Sequence, residues 1–139
     1  MTNEDLARVK EIEKLSFPEP WSSYALEYMV SKYPHGCWVA VLDNEVVGYS
    51  IHVLEYRDRA HLLKLAVDPA WRRKGIATTL VLHIIEELKS LNVRSLKLEV
   101  RESNLAARIL YKSLGFVETR KIPRYYLNGE NAVIMVKRL

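Results

Sequence analysis

Cys37 is the only cysteine in the sequence, which excludes an intramolecular disulfide and points to a reducing compartment. It sits inside Gly36-Cys37-Trp38-Val39-Ala40-Val41, an apolar strand pattern that reads as a small core residue rather than a nucleophile. No apolar run approaches the roughly 20 residues that span a bilayer. The polar start Thr2-Asn3-Glu4-Asp5 argues against a signal peptide, so a cytoplasmic protein without membrane contact is expected. Glycine is scarce, at 5 residues. A P-loop or a dinucleotide fingerprint needs several glycines at fixed spacing, and Gly75 has no such partner. His35, His52, His61 and His83 show no ligand spacing with carboxylates or with Cys37, so no metal is expected.

What is present fits one soluble domain over residues 1–139, because 49% hydrophobic and 27% charged residues suit a chain with one core. The net charge of +4 suits a polyanionic ligand or an acidic partner. The basic residues are spread along the chain rather than gathered in a tail, and no aromatic-plus-basic stacking motif stands out, so nucleic acid is not expected. There is no linker, repeat or low-complexity stretch.

Periodicity predicts ten elements. Leu6, Val9, Ile12 and Leu15 recur every three residues over a helix at 3–16, which Pro18 ends. Ser22 or Ser23 caps a second helix to about Lys32, stopped by Pro34-His35-Gly36. Strands follow at 37–42 and 46–56, joined at Asp43-Asn44, and at 60–67. A helix from about Gly75 to Ser90 buries Ile76, Leu80, Ile84, Leu88 and Leu91. Next come a strand at 93–100 and a helix from Asn104 to Leu114, capped by Ser103 and ended by Gly115. Strands at 116–121 and 132–138 close the chain. The order α-α-β-β-β-α-β-α-β-β describes an α+β, or mixed α/β, domain with a central mixed, twisted sheet flanked by helices. The strands at 60–67 and 93–100, joined by a helix, should be parallel.

Two stretches carry chemistry. Residues 65–77, LAVDPAWRRKGIA, run a strand into a helix through a basic turn. Helix N-termini hold unsatisfied N–H groups and a positive dipole end, which suit phosphates. Arg72, Arg73 and Lys74 also read as a solvated helix start. Cations are nonetheless disfavoured there by roughly 0.3–1 kcal/mol each, so an anion that offsets the cost makes better sense of them. The second stretch is Glu99 to Phe116, EVRESNLAARILYKSLGF. Leu96, Leu98 and Val100 alternate with Ser95, Lys97 and Glu99, so Glu99 ends its strand on the polar side. Asn104 and Tyr111 lie seven residues apart, on one helical face with Ala107 and Arg108. Ala106, Ile109 and Leu110 fall on the adjoining stripe, read as buried. Taken alone, Glu99 also reads as a solvated strand end, Tyr111 as a core-edge tyrosine and Asn104 as a helix-start residue serving backbone bonds.

The pattern Arg-x-x-Gly-x-Ala at Arg72–Ala77 resembles the acyl-coenzyme A signature of the GNAT acetyltransferase superfamily. The block Leu-Glu-Val-Arg, Ser-Asn, Leu-Tyr-x-x-Leu-Gly-Phe resembles the second motif of its N-terminal acetyltransferases. With Tyr125-Tyr126 and Asn128-Gly129-Glu130-Asn131-Ala132, the likeness covers nearly all of residues 45–139. It is greatest to the ribosomal-protein-alanine (RimI-like) enzymes and the archaeal N-terminal acetyltransferases.

The resemblance implies the GNAT fold and transfer of acetyl from acetyl-CoA to the α-amino group of a protein or ribosomal protein, within a ternary complex. It implies Glu99 as general base and Tyr111 as general acid, with His61 a second candidate base because archaeal relatives often carry histidine there. An unperturbed imidazole pKa near 6.5 suits that task. The backbone of Leu65, Ala66 and Val67 would pair with pantetheine. Arg72, Arg73, Lys74, Gly75, Ile76 and Ala77 would hold the pyrophosphate, and Asn104, Ala107, Tyr111 and Lys112 complete the acetyl-CoA site. Phe17-Pro18-Glu19-Pro20-Trp21-Ser22 resembles the loop that lines the peptide groove, where Glu19, Trp21 and Tyr24, with Tyr125 and Tyr126, would meet the acceptor. Short relatives of this kind often act alone, so a monomer or weak homodimer is expected. Two other readings stay open: the same fold acting on lysine or a small amine, and a non-catalytic coenzyme A-binding module, against which retention of Glu99 and Tyr111 counts.

Overall fold

The expected ten elements form in the expected order in the computed structural model, which describes residues 1–139. They are α1 (Leu6–Ser16), α2 (Ser23–Lys32), β1 (Cys37–Leu42), β2 (Glu45–Tyr56), β3 (Arg59–Val67), α3 (Ile76–Ser90), β4 (Ser95–Arg101), α4 (Leu105–Ser113), β5 (Val117–Ile122) and β6 (Ala132–Arg138). Short 3-10 turns at Pro34–Gly36 and Pro69–Trp71 add to them. One mixed sheet runs in the order β1-β2-β3-β4-β6-β5. β1 and β2 form a hairpin whose two turn residues, Asp43 and Asn44, both take positive φ (52° and 61°), as a two-residue turn matched to strand twist requires. β3 and β4 are parallel, with Arg59 opposite Ser95 and Leu62 opposite Leu98, while β4–β6 and β6–β5 are antiparallel.

The chain divides into two compact units, residues 1–53 with 63–84 and residues 54–62 with 85–139. In the first, Leu6, Val9 and Ile12 of α1 and Leu26, Met29 and Val30 of α2 pack with Tyr49, Ile51 and Ala66. Cys37 belongs to this core, where burial pushes its thiol up to about 11 and keeps it in the unreactive form. Gly36 is required beside it, because a Cβ there would lie 1.9 Å from the His52 carbonyl oxygen. In the second, Leu96, Leu98 and Val100 are buried on β4 with Val133 and Met135 on β6. Each such side chain contributes roughly 1.5–3 kcal/mol by leaving water.

Several boundaries and faces differ from the sequence reading, each for a geometric reason. α1 starts at Leu6 rather than residue 3, because Asp5 draws the Thr2 N–H into a turn at 2.8 Å. Leu15 is 60% exposed, whereas Glu13 is fully buried. A helix advances about 100° per residue, so Leu15 lies half a turn from Leu6 while Glu13 lies within about 20° of it. α3 ends at Ser90, so Leu91 falls in the turn and is exposed, and Val93 takes the core place. β4 starts at Ser95 rather than 93. The cap of α4 is Asn104, whose Oδ1 accepts from the Ala107 N–H at 3.2 Å, and not Ser103. On α4, Ala106 and Ile109 are exposed, and the inward stripe is Ala107, Leu110, Tyr111 and Leu114 at i, i+3, i+4, i+7. Tyr111 is thus a buried residue, its ring edge-on to Phe116 at 5.5 Å, rather than one presented to an open face.

Candidate active site

Strands alternate their side chains, and neighbouring strands lie about 5 Å apart, so carboxylates and a histidine on one face of adjacent strands can converge even when offset along the strands. That occurs in the second unit. His61 Nδ1 lies 2.7 Å from Glu55 Oε1 and Nε2 lies 2.5 Å from Glu99 Oε2. The two candidate bases are therefore hydrogen-bonded to each other, and Glu55, which sequence reading missed, holds the far side of the ring. Lys97 Nζ sits 3.4 Å from Glu55. Burial, the largest single influence on His61, disfavours the imidazolium, but the hydrogen bonds and charges of Glu99 and Glu55 together outweigh it and raise the pKa. For Glu55 burial works upward, and His61 with Lys97 overcomes it, so its carboxyl titrates lower than usual.

The loop 123–131 supplies the tyrosine pair. The rings of Tyr125 and Tyr126 meet edge-on at 5.0 Å, and the Arg101 guanidinium stacks 4.0 Å from the Tyr126 centroid. Arg101 also donates to Asn128 at 3.1 Å and to Glu130 at 3.2 Å. Glu130 accepts from the N–H and hydroxyl of Ser103, and the Asn131 side chain donates to Glu102 at 3.0 Å. The loop is thereby stapled to the end of β4. Burial first, then the charge of Glu99, raises the Tyr125 phenol. Burial also pushes Tyr126 up to about 12 against the opposing pull of Arg101, with Tyr125, Glu99 and Glu130 adding to the rise. Both phenols thus stay protonated and lie within the field of Glu99. Burial raises Tyr111 further, so its phenol holds its proton throughout the neutral range.

In the first unit the basic turn has the expected shape. Gly75 takes φ +76° and Arg73 takes φ +64°, and no atom lies within 4 Å of where a Gly75 Cβ would stand. The first-turn N–H groups of α3 have no partner within the helix. Arg72, Arg73 and Lys74 are exposed. This open cradle of N–H groups and cations fits a pyrophosphate. Arg72 Nε also reaches back to the Val67 carbonyl at 3.3 Å, which ties the turn to β3, and Lys74 Nζ lies 5.8 Å from the Trp71 ring.

Of the acceptor-side candidates in this unit, Glu19 and Trp21 lie half-buried between α1 and α2, while Tyr24 is 77% exposed. Glu13, missed in the sequence, anchors this loop. Its carboxylate accepts from the Trp21 N–H at 2.8 Å, from Lys64 Nζ at 2.9 Å and from the Tyr49 hydroxyl. Its angle on α1, on the side of Leu6, was the signal available.

The profile of the "Acetyltransferase (GNAT) family" matches residues 6–116. The N-alpha-acetyltransferase of Saccharolobus solfataricus is 32% identical over 148 residues, covering 98% of this chain and 89% of that protein. Among solved structures, Ard1 from Thermoplasma volcanium superposes with a TM-score of 0.96 at 29% identity, covering 100% of this chain and 94% of that one. The ribosomal-protein-S18-alanine N-acetyltransferase from Escherichia coli superposes with a TM-score of 0.88 at 33% identity, covering 99% and 90%.

Proposed function

The chain belongs to the acetyltransferase (GNAT) family and is an acetyl-CoA-dependent acetyltransferase, and from that premise we propose that its acceptor is the α-amino group of a protein or peptide N-terminus. The observation that carries this reading is the Glu55–His61–Glu99 array, with the Tyr125-Tyr126 pair in the field of Glu99. The kinship to an archaeal N-alpha-acetyltransferase supports it. The family profile matches residues drawn from both compact units, which supports reading 1–139 as one catalytic domain. No helix is long and apolar enough to cross a membrane.

Basicity favours the same acceptor. An α-amino group has a pKa near 7.7–8.0, so roughly a tenth is neutral at pH 7, whereas a lysine near 10.4 is neutral only about once in several thousand. A carboxylate–imidazole pair of moderate strength suffices for the first. In this scheme Glu99, coupled to His61, removes the proton from the attacking amine, and Glu55 fixes the ring. Tyr111, kept protonated by burial, donates toward the leaving sulfur. Acetyl-CoA supplies the activated acetyl group when bound. Arg72, Arg73, Lys74, Gly75, Ile76 and Ala77 hold its pyrophosphate, and the backbone of Leu65, Ala66 and Val67 aligns its pantetheine arm. Asn104, Ala107 and Lys112 line the remainder. In the first unit Glu19 and Trp21, with Tyr24 at the exposed rim, are the candidates to receive the acceptor, and in the second unit Tyr125 and Tyr126.

The test is acetyl transfer to peptides with free or blocked N-termini, all carrying an internal lysine and some beginning as ribosomal proteins do, read by mass spectrometry. Label confined to free N-termini is expected. Label on lysine in blocked peptides, or none on any peptide, overturns the reading in favour of lysine or a small amine. A second prediction concerns the tyrosine pair. Tyr125→Phe with Tyr126→Phe should raise the peptide KM about tenfold, the loss of two hydrogen bonds to the peptide backbone, with the acetyl-CoA KM unchanged. An unchanged peptide KM would mean that the rings serve only packing.

A further inference from the structure

Glu13 is fully buried, yet stability alone does not call for a carboxylate there. Replacing a buried ion pair by apolar residues of similar volume is often neutral or stabilising. What a carboxylate adds is direction: beyond the bond it accepts from the Tyr49 hydroxyl on β2, its bonds bear on the connection between α1 and α2. The Glu13 carboxylate accepts from the Trp21 N–H and from Lys64 Nζ, while its main-chain carbonyl accepts from the Phe17 N–H at 3.1 Å, the ordinary bond of a helix end. The Lys64 ammonium then lies 3.8 Å from the Phe17 ring centroid and 4.8 Å from that of Trp21. Both aromatic ends of the loop therefore seat on one ammonium, which Glu13 fixes. Between them run Pro18, Glu19 and Pro20, and two fixed proline φ angles make this span a stiff arch with Glu19 at its middle.

We propose that Glu13 and Lys64 are positioning residues that set the Phe17–Trp21 arch, and with it Glu19, for the incoming acceptor. This rests on the reading of that arch as part of the acceptor site. Moving the anchor displaces both ends together, so the effect falls on acceptor binding and spares acetyl-CoA.

The experiment compares three enzymes: unsubstituted, Glu13→Gln, and the apolar variant Glu13→Leu/Tyr49→Phe/Lys64→Met. Peptide KM, acetyl-CoA KM, kcat and Tm are measured for each. Glu13→Gln should raise the peptide KM roughly tenfold, the weight of one charge-assisted hydrogen bond, with the acetyl-CoA KM and kcat within about twofold. The apolar variant should keep or recover the Tm while its peptide KM stays raised. A role in stability alone predicts the reverse, recovery of KM with Tm, and that result overturns the proposal. So does a rise of both KM values together. If neither variant folds, amide exchange in the unsubstituted chain decides: the Trp21 N–H should be protected, and exchange at the rate of a free chain overturns the proposal. An unsubstituted enzyme that labels no free N-terminus fails the acceptor reading before any variant is compared. One that labels it, with an unmoved peptide KM in Glu13→Gln, fails this inference alone.

Discussion

Glu99→Gln lowers kcat by about a hundredfold or more, while both KM values stay near those of the unsubstituted enzyme. Glutamine keeps the size and polarity of the side chain but cannot take a proton. His61→Ala lowers kcat less, because Glu99 retains its carboxylate. The double variant is no slower than Glu99→Gln, since groups that act as one unit lose their function once. The geometry behind this is the 2.5 Å contact between His61 Nε2 and Glu99 Oε2. Rates that multiply in the double variant would show two independent bases, and an unmoved rate in Glu99→Gln would remove Glu99 from the mechanism.

The pH profile adds a second readout with a definite sign. The two carboxylates hold the imidazole pKa of folded His61 above its ordinary 6.5 in spite of burial. In the free enzyme the acid limb of kcat/KM should therefore lie above pH 6.5 and move down in Glu55→Gln, which deletes one upward influence on the imidazole and leaves Glu99 in place. Stability runs the other way. A pKa raised on folding means that protonation favours the native state, so this contribution is fully present below pH 6.5 and is lost as pH rises through the folded value. Tm measured across that range should lose this component in His61→Ala.

Why Glu99 and His61 were each visible in the sequence, but not as a pair, follows from what a pattern encodes. Alternation along β4 placed Glu99 on the polar side, and the segment His61–Val67 placed His61 on a strand. Neither gives the register between β3 and β4, in which His61 lies opposite Lys97. Glu55 was hidden for the same reason, since only strand pairing brings a residue six positions earlier onto the far side of the ring. Glu13 was legible, but a charged residue on an apolar stripe is easily assigned to solvent when a period of three is read in place of 3.6. The α4 stripe failed likewise, because Ile109 counts as apolar while the helix turns it outward. Periodicity located the elements well. It located contacts only where one element alone decides them, as at Ser22, whose side chain caps α2 through the Ala25 N–H at 3.1 Å.

Gly75→Val should raise the acetyl-CoA KM by about tenfold or more and leave the peptide KM within about twofold. The reason is conformational. At φ +76° a β-branched residue is strained by more than the roughly 1–2 kcal/mol that an ordinary L-residue meets, so the turn must rotate to a negative φ. That rotation turns the N–H groups at the start of α3 away from the phosphates. Crowding is not the cause, because the space beside Gly75 is open, so Gly75→Ala should show a smaller effect of the same kind. Arg73 separates geometry from charge. It already takes φ +64°, so Arg73→Gly relieves strain of roughly 1 kcal/mol while removing one cation. This variant should melt slightly higher yet bind acetyl-CoA more weakly, with a weakening that fades as salt rises. A Gly75→Val enzyme that loses stability but keeps its acetyl-CoA KM would show that the turn is a structural corner and that the pyrophosphate is held elsewhere.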